Sequence, residues 1–192
     1  MMKPIKSRQD LKKYLIEDMR VNLGFTNNFK YYIYLLCRQN GAMAYCYLKS
    51  LRKYEYALNC YPTFFFGKLV LLYRKIRNKQ LGYKYAITIH PNTVGYGLYL
   101  PHTAMGGVII NCKIMGNYCT VKTGCLIGKK NKDQNTTPSF GDNVTLNPGA
   151  CVIGEIEIGD NVIVAPHAVV TKNVPSNAIV AGVPAKIIRM YE

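Results

Sequence analysis

Two rhythms divide the chain. From Phe140 onward an apolar residue returns every six positions, so that Phe140, Leu146, Val152, Ile158, Val164 and Val170 open six successive hexads. The fifth place of each hexad is small or β-branched: Val144, Ala150, Ile156, Val162, Ala168, Val174. The same six-residue spacing holds upstream at Met115, Val121 and Ile127. A short fixed repeat of this kind is the mark of a solenoid. Each hexad supplies one short strand and one turn, and three hexads close a triangular coil. The first residue points into the prism and the fifth fits its tight corner. Gly116, Gly141 and Gly159 take the second place, where the chain turns and a Cβ interferes. Cys119 and Cys125 fall on fifth places and read as small core residues rather than ligands.

The beat breaks twice. Ile127 and Phe140 are 13 residues apart where two hexads give 12, and Lys129–Pro138 carries no apolar anchor. This stretch reads as a polar loop thrown out of a coil. The second break runs from Val94 to Ile110 and holds Gly95, Gly97, Pro101, His102, Gly106 and Gly107. Irregular rungs of a solenoid are where function is expected.

Ahead of the repeat the apolar spacing is helical. Ser7 caps a first helix, with Asp10 three residues on and Leu11, Leu15, Ile16 and Met19 on one face. A second helix covers Asn28–Gln39 and exits at Asn40-Gly41. A third runs over Ala42–Leu58 and a fourth, after Pro62, over Phe64–Asn78. The sequence thus predicts a mainly β protein of two domains: a helical domain over 1–85 and a parallel β-helix domain over 86–192 with a closing C-terminal strand.

Charge sharpens this division. The chain of 192 residues has 25 Lys+Arg against 10 Asp+Glu. Residues 1–85 hold 17 Lys+Arg and 4 Asp+Glu, so nearly all of the net charge of +15 lies there. The helical domain is either a cap with a solvated basic face or a surface attracted to anionic lipid. No nucleic-acid motif accompanies the charge, so nucleic acid is not expected as a partner. No apolar run reaches the ~20 residues of a membrane span. The start is basic without the apolar run of a secretory signal. The 7 cysteines are scattered with no CxxC pair, which predicts a reduced, cytoplasmic chain without disulfides or bound metal.

The repeat resembles that of the hexapeptide-repeat acyltransferases, whose coil is a left-handed parallel β-helix. The ending Ile179-Val-Ala-Gly-Val-Pro-Ala-Lys-Ile-Ile188 is similar to the strand that closes those enzymes beside the coenzyme A channel. The resemblance implies acetyl-CoA as co-substrate, and no residue spacing implies a metal. It implies a homotrimer with sites between subunits, and acetyl-CoA contacts at Ala165, Gly182, Pro184, Lys186 and Arg189. Lys129, Lys130 and Lys132 are further candidates for the phosphates.

A hydroxyl that attacks a thioester needs a base poised near neutrality, and histidine suits it. In the serine acetyltransferase branch an Ile-His-Pro step precedes a short glycine-rich stretch with the catalytic histidine. Ile89-His90-Pro91 resembles the first and His102 falls on the second, so His102 is the expected base. By the same resemblance Thr88, His90 and Thr137 are expected around the acceptor. His167, on the fourth place of a regular hexad, reads as an exterior or subunit-contact residue.

The departures are chemical. Where that branch carries an Asp two residues before the His of Ile-His-Pro, this chain has Thr88. Where an Asp directly precedes the catalytic histidine, it has Pro101, and Thr136-Thr137-Pro138 replaces a charged Arg-His-Pro. Charged partners for a zwitterionic amino acid are therefore missing from those positions. The helical start is also similar to the short leaders of capsular or exopolysaccharide O-acetyltransferases. These two points lead to the expectation of an O-acetyltransferase acting on a saccharide hydroxyl, held at the inner membrane face by the basic leader. The alternatives are a serine O-acetyltransferase and a non-catalytic trimeric scaffold.

Overall fold

The structure, a computed structural model, describes residues 3–61, 65–103, 106–130 and 136–191. Four helices come first: α1 (Arg8–Leu23), α2 (Asn28–Leu36), α3 (Asn40–Cys60) and α4 (Phe65–Tyr85). Ser7 caps α1, its hydroxyl accepting the Asp10 N–H at 3.0 Å. Asn27 caps α2 in the same way through Phe29 and Lys30. The expected exit at Asn40-Gly41 is instead the first turn of α3. Gly41 is there for proximity: a Cβ on it collides with the Asn22 carbonyl of α1, so the two helices cross in near contact. The fourth helix runs on past Asn78 to Tyr85, and its expected start at Pro62–Phe64 lies outside the described residues.

One residue after α4 the coil begins. Its strands are β1 (Ile87–Ile89), β2 (Val108–Ile110), β3 (Ile114–Met115), β4 (Thr120–Val121), β5 (Leu126–Gly128), β6 (Ser139–Phe140), β7 (Thr145–Leu146), β8 (Cys151–Ile153), β9 (Glu157–Ile158), β10 (Ile163–Val164), β11 (Val169–Val170), β12 (Ala178–Gly182) and β13 (Ala185–Met190). They stack into three parallel sheets, β1-β2-β5-β8-β11, β3-β6-β9 and β4-β7-β10-β12, and β13 closes the last of these antiparallel to β12. The arrangement is the left-handed parallel β-helix of the hexapeptide repeats.

Every hexad anchor points inward. Ile89, Ile110, Ile127, Val152 and Val170 form one column, and Val94, Met115, Phe140, Ile158 and Val174 a second. Val121, Leu146, Val164 and Val180 form the third, and all of these side chains are buried. Burying one such aliphatic side chain is worth about 1.5–3 kcal/mol, so the columns are the main source of stability. Cys119 and Cys125 are buried at fifth places, and burial pushes the Cys119 thiol up to about 12.

Three details differ from the sequence reading. Phe140 stacks on Met115 and Leu146 on Val121, which makes that coil 25 residues long, whereas Phe140 to Ile158 is 18. The polar loop is therefore seven residues added to one hexad, not two hexads with one residue too many. The second break is narrower than Val94–Ile110. Val94 bridges Met115, Tyr99 bridges Thr120, and Leu100 is fully buried, so a genuine first rung runs to Leu100. The glycines at the second place answer to the neighbouring coil rather than to the turn: a Cβ on Gly116, Gly141 or Gly159 meets Asp142, Asp160 or Ser176 of the next rung.

The first rung would leave its backbone edge unpaired. Side chains of α1 and α3 fill it. Arg52, fully buried, donates to Asp18 at 2.8 Å, to Glu55 at 3.1 Å and to the Val94 carbonyl at 2.8 Å. Asp18 accepts the N–H groups of Gly97 and Leu98, Glu55 accepts that of Asn92, and Asn22 bonds both Leu98 and Leu100. Burial raises both carboxyls, while Arg52 and the backbone donors pull them back. The helices and coil share one apolar core, with Tyr47, Leu48, Leu51 and Leu81 packed on the first rungs. Among the described residues no helix is long and apolar enough to cross a membrane.

Candidate active site

The segment after Leu100 leaves the coil at Pro101 and returns at Val108. His102 stands in this excursion with φ +56°, a left-handed conformation that costs a non-glycine residue of order 1 kcal/mol or more. Both ends of the excursion are fastened. Asn22 holds Leu100, and the carbonyl of buried Thr103 accepts the N–H groups of Gly106 (3.3 Å) and Gly107 (2.8 Å). The His102 ring is exposed, and its Nδ1 lies 3.1 Å from Nδ2 of Asn40 at the start of α3.

Asn40 also lines a hollow of about 420 Å³ between the end of α1 and the α2–α3 turn. The hollow contains Arg38, held at φ +53°, together with Asn22, Tyr34 and Gln39. None of these residues stood out in the sequence. The one local signal was the Asn40-Gly41 pair, which reads as a helix exit.

The other expected residues fall into separate places. Thr88 and His90 are exposed and line a different hollow, of about 340 Å³, between α3, α4 and β1 with Tyr47, Asn78 and Lys79. Among the described residues the His102 ring instead meets Asn40. Thr137 is partly buried at the end of the polar loop. His167 is exposed at a left-handed corner, its ring against Gly149 of the preceding rung. Gly182, Pro184, Lys186 and Arg189 are exposed together on the β12–β13 hairpin. Ala165 sits beside that hairpin with its N–H already donated to the Val180 carbonyl at 2.9 Å, so it has no free donor to offer a ligand amide. Lys129 and Lys130 border the loop; Lys132 lies outside the described residues.

Residues 137–172 match the family described as bacterial transferase hexapeptide (six repeats). Serine acetyltransferase from Synechococcus elongatus is 36% identical over 104 residues, which is 53% of this chain and 42% of that protein. Serine acetyltransferase 2 of Arabidopsis thaliana is 36% identical over 110 residues, 56% of this chain and 34% of that one. Serine acetyltransferase of Staphylococcus aureus (strain Mu50) is 36% identical over 105 residues, 54% and 49%. The chain spans less than half the length of these relatives. Among solved structures, Neisseria gonorrhoeae serine acetyltransferase in complex with serine superposes with a TM-score of 0.68 at 24% identity, covering 95% of this chain and 71% of that one. The soybean apoenzyme gives 0.70 at 20% identity, covering 94% and 69%.

This is a serine acetyltransferase-like hexapeptide-repeat fold. The likeness takes in the helices as well as the coil, since 94–95% coverage leaves no room to omit the leader. It corrects the resemblance of that leader to those of polysaccharide O-acetyltransferases. The saccharide acceptor expected from the sequence is overturned by the same relatives, which are serine acetyltransferases in sequence and in structure. The error has a physical source. The positions that lack charge all lie within the coil, whereas the α2–α3 turn, far away in sequence, places Arg38 along a hollow that Asn40, the contact of His102, also lines.

Proposed function

We propose that the chain transfers the acetyl group of acetyl-CoA to the side-chain hydroxyl of serine, with His102 as general base. The reading is supported above all by the 36% identity to serine acetyltransferases over more than half of the chain. His102 Nε2 takes the hydroxyl proton as the oxygen attacks the thioester carbonyl. The tetrahedral intermediate collapses with cleavage of the C–S bond, and the imidazolium returns the proton to the departing thiolate. The products are O-acetylserine and free CoA. Arg38, in the hollow that Asn40 borders, is the partner we assign to the serine carboxylate, a charge-assisted contact of the kind such a group requires. Thr88, His90 and Thr137 remain candidate acceptor contacts, at a second remove.

The donor lies along the prism in this reading. Tyr99, three residues before His102, is four strand spacings from β12 through β4, β7 and β10, about 19 Å. An extended pantetheine arm bridges such a gap, with Lys186 and Arg189 meeting the nucleotide phosphates and Gly182 and Pro184 shaping the hairpin at that end. A homotrimer in the cytoplasm completes the proposal. Its support is the outward row of the first sheet, Ile109, Leu126, Cys151 and Val169, in continuous register and apolar, with Ile109 48% and Leu126 42% exposed.

Release of CoA in the presence of L-serine tests the activity. Substituting His102→Ala is expected to lower kcat by about 10²–10⁴-fold while acetyl-CoA binding persists. No turnover of serine by the wild-type chain, or full activity of H102A, overturns the reading. A second role, contact with an anionic membrane surface, draws on α4, which carries six Lys+Arg and no acidic residue and exposes Phe65 and Phe66. Co-sedimentation with phosphatidylserine vesicles at low salt is the expected result, and its absence removes this role.

A further inference from the structure

The carboxylate expected to orient the catalytic histidine is replaced by Thr88, which faces another hollow. We infer that Asn40, delivered from the helical leader, is the positioning residue that sets the tautomer of His102.

The contact joins residues 62 positions apart at 3.1 Å, with Asn40 Nδ2 placed toward Nδ1 of the ring; a half-turn of the amide about its Cβ–Cγ bond brings Oδ1 to the same place, and it is this turned amide that the inference assigns to the active site. An amide has two faces, and they have opposite consequences. With its NH₂ toward Nδ1, the ring nitrogen accepts, the ring proton sits on Nε2, and Nε2 has no lone pair for a substrate hydroxyl. With Oδ1 toward the ring, Nδ1–H donates to it and the lone pair is left on Nε2. Only the second arrangement makes a general base, and a neutral amide oxygen suffices to hold it. A side chain at this position thus does for the ring what the missing carboxylate would do.

Asn40 is itself well braced. It is the first residue of α3, and the next, Gly41, is pressed against the Asn22 carbonyl. The Asn22 side chain in turn clasps Leu98 and Leu100, two residues before His102. The α1–α3 crossing and the strand leading into the excursion are thereby set against each other, and Asn40 meets His102 across that junction. The helical leader is then part of the site, not only a cap on the coil.

This inference rests on the proposed acetyl transfer for its kinetic arm, but its spectroscopic arm does not. In the full-length wild-type chain, ¹⁵N NMR of the neutral His102 ring is expected to show Nδ1 protonated and Nε2 bare, and Asn40→Ala to return the ring to the Nε2–H form. A wild-type ring already protonated on Nε2 overturns the inference whether or not the chain turns over serine. Kinetically, N40A is expected to lower kcat by at least about 10-fold, short of the 10²–10⁴-fold supplied by the base itself, with KM for both substrates within twofold. Asn40→Asp restores most of the loss, because a carboxylate accepts the same Nδ1–H. In the H102A background N40A has no further effect. A loss of equal size in that background shows a merely structural role and overturns the assignment. If wild-type NMR shows the Nδ1–H tautomer and serine is not turned over, the acetyl-transfer reading has failed and the positioning contact stands.

Discussion

At the scale of single residues, the coil is governed by how closely one rung lies on the next. Gly141 has ordinary backbone angles, yet a Cβ there meets the Asp160 side chain and the Gly159–Asp160 backbone, with Asp160 N at 2.8 Å. The Gly159–Asp160 peptide cannot yield as a side-chain end would. Gly141→Ala is therefore expected to lower stability by about 1–3 kcal/mol through overpacking. Gly128→Ala is the control: its nearest atom is Leu126 Cδ2 at 3.9 Å, and the change is expected to be neutral or stabilising by up to about 1 kcal/mol. Urea midpoints of the two variants check this, and equal values for both would contradict the rung-contact account. The left-handed corners follow a related logic. Tyr118, Asn143, Asn161 and His167 all have φ between +55° and +58°, so the His167 backbone conformation is one the repeat imposes at every such corner.

At the scale of elements, what matters is how helices meet a sheet edge. α1 and α3 replace the strand that the first rung lacks, and they do so through one guanidinium, two carboxylates and one amide. Arg52→Met leaves Asp18 and Glu55 buried without their cation and the Val94 and Gly95 carbonyls without a donor. Removing one partner of a buried pair costs about 3–5 kcal/mol. For a chain of this size that corresponds to a fall of roughly 10 °C or more in Tm. A loss below 1 kcal/mol in R52M would mean that apolar packing alone docks the helices. The legibility of the sequence divides along the same line. The columns of the prism could be read because their period is local and rigid, down to Val170, whereas Val174, expected on a fifth place, stacks on Ile158 in an anchor column. The helix around Met19 could be read for the same reason. The first rung was half hidden, since Ile89 to Val94 takes five residues and Leu100 to Ile110 takes ten, which breaks the beat although the burial is perfect. Asp18, Arg52 and Glu55 carried no readable sign, and Asn40 carried only a misleading one, the Asn-Gly pair of a helix exit. Their partners lie 34 to 80 positions away, and nothing in a helical stretch announces which polar residue will meet a distant carbonyl.

At the scale of the molecule, the balance of exposed surface points to lateral association. The sheet of β3, β6 and β9 shows Ser139 and Glu157 to solvent, whereas the first sheet shows Ile109 and Leu126. If that row is the contact between subunits, Leu126→Glu is expected to convert a trimer into monomers by sedimentation velocity and to abolish acetyl transfer, with little change in the far-ultraviolet spectrum. A trimer that survives L126E places the contact elsewhere. The charge of the leader has a similar explanation. Asp10, Glu17, Asp18 and Glu55 each engage a cap, an arginine or a backbone donor, so the acidic groups of this region are all bound inward or locally. The lysines and arginines on its outside, as on α4, then meet solvent without nearby acidic partners to offset them.

The filled edge above the first rung also limits how the column can lengthen. A bare rim would invite another chain to stack end-on, as the open lip of a growing fibril does. Here that lip is occupied by Asp18, Asn22, Arg52 and Glu55, which leave no ladder to copy. Any further coil gained by duplication has to enter below this lid, among the regular repeats, and leave the upper storey with its histidine untouched.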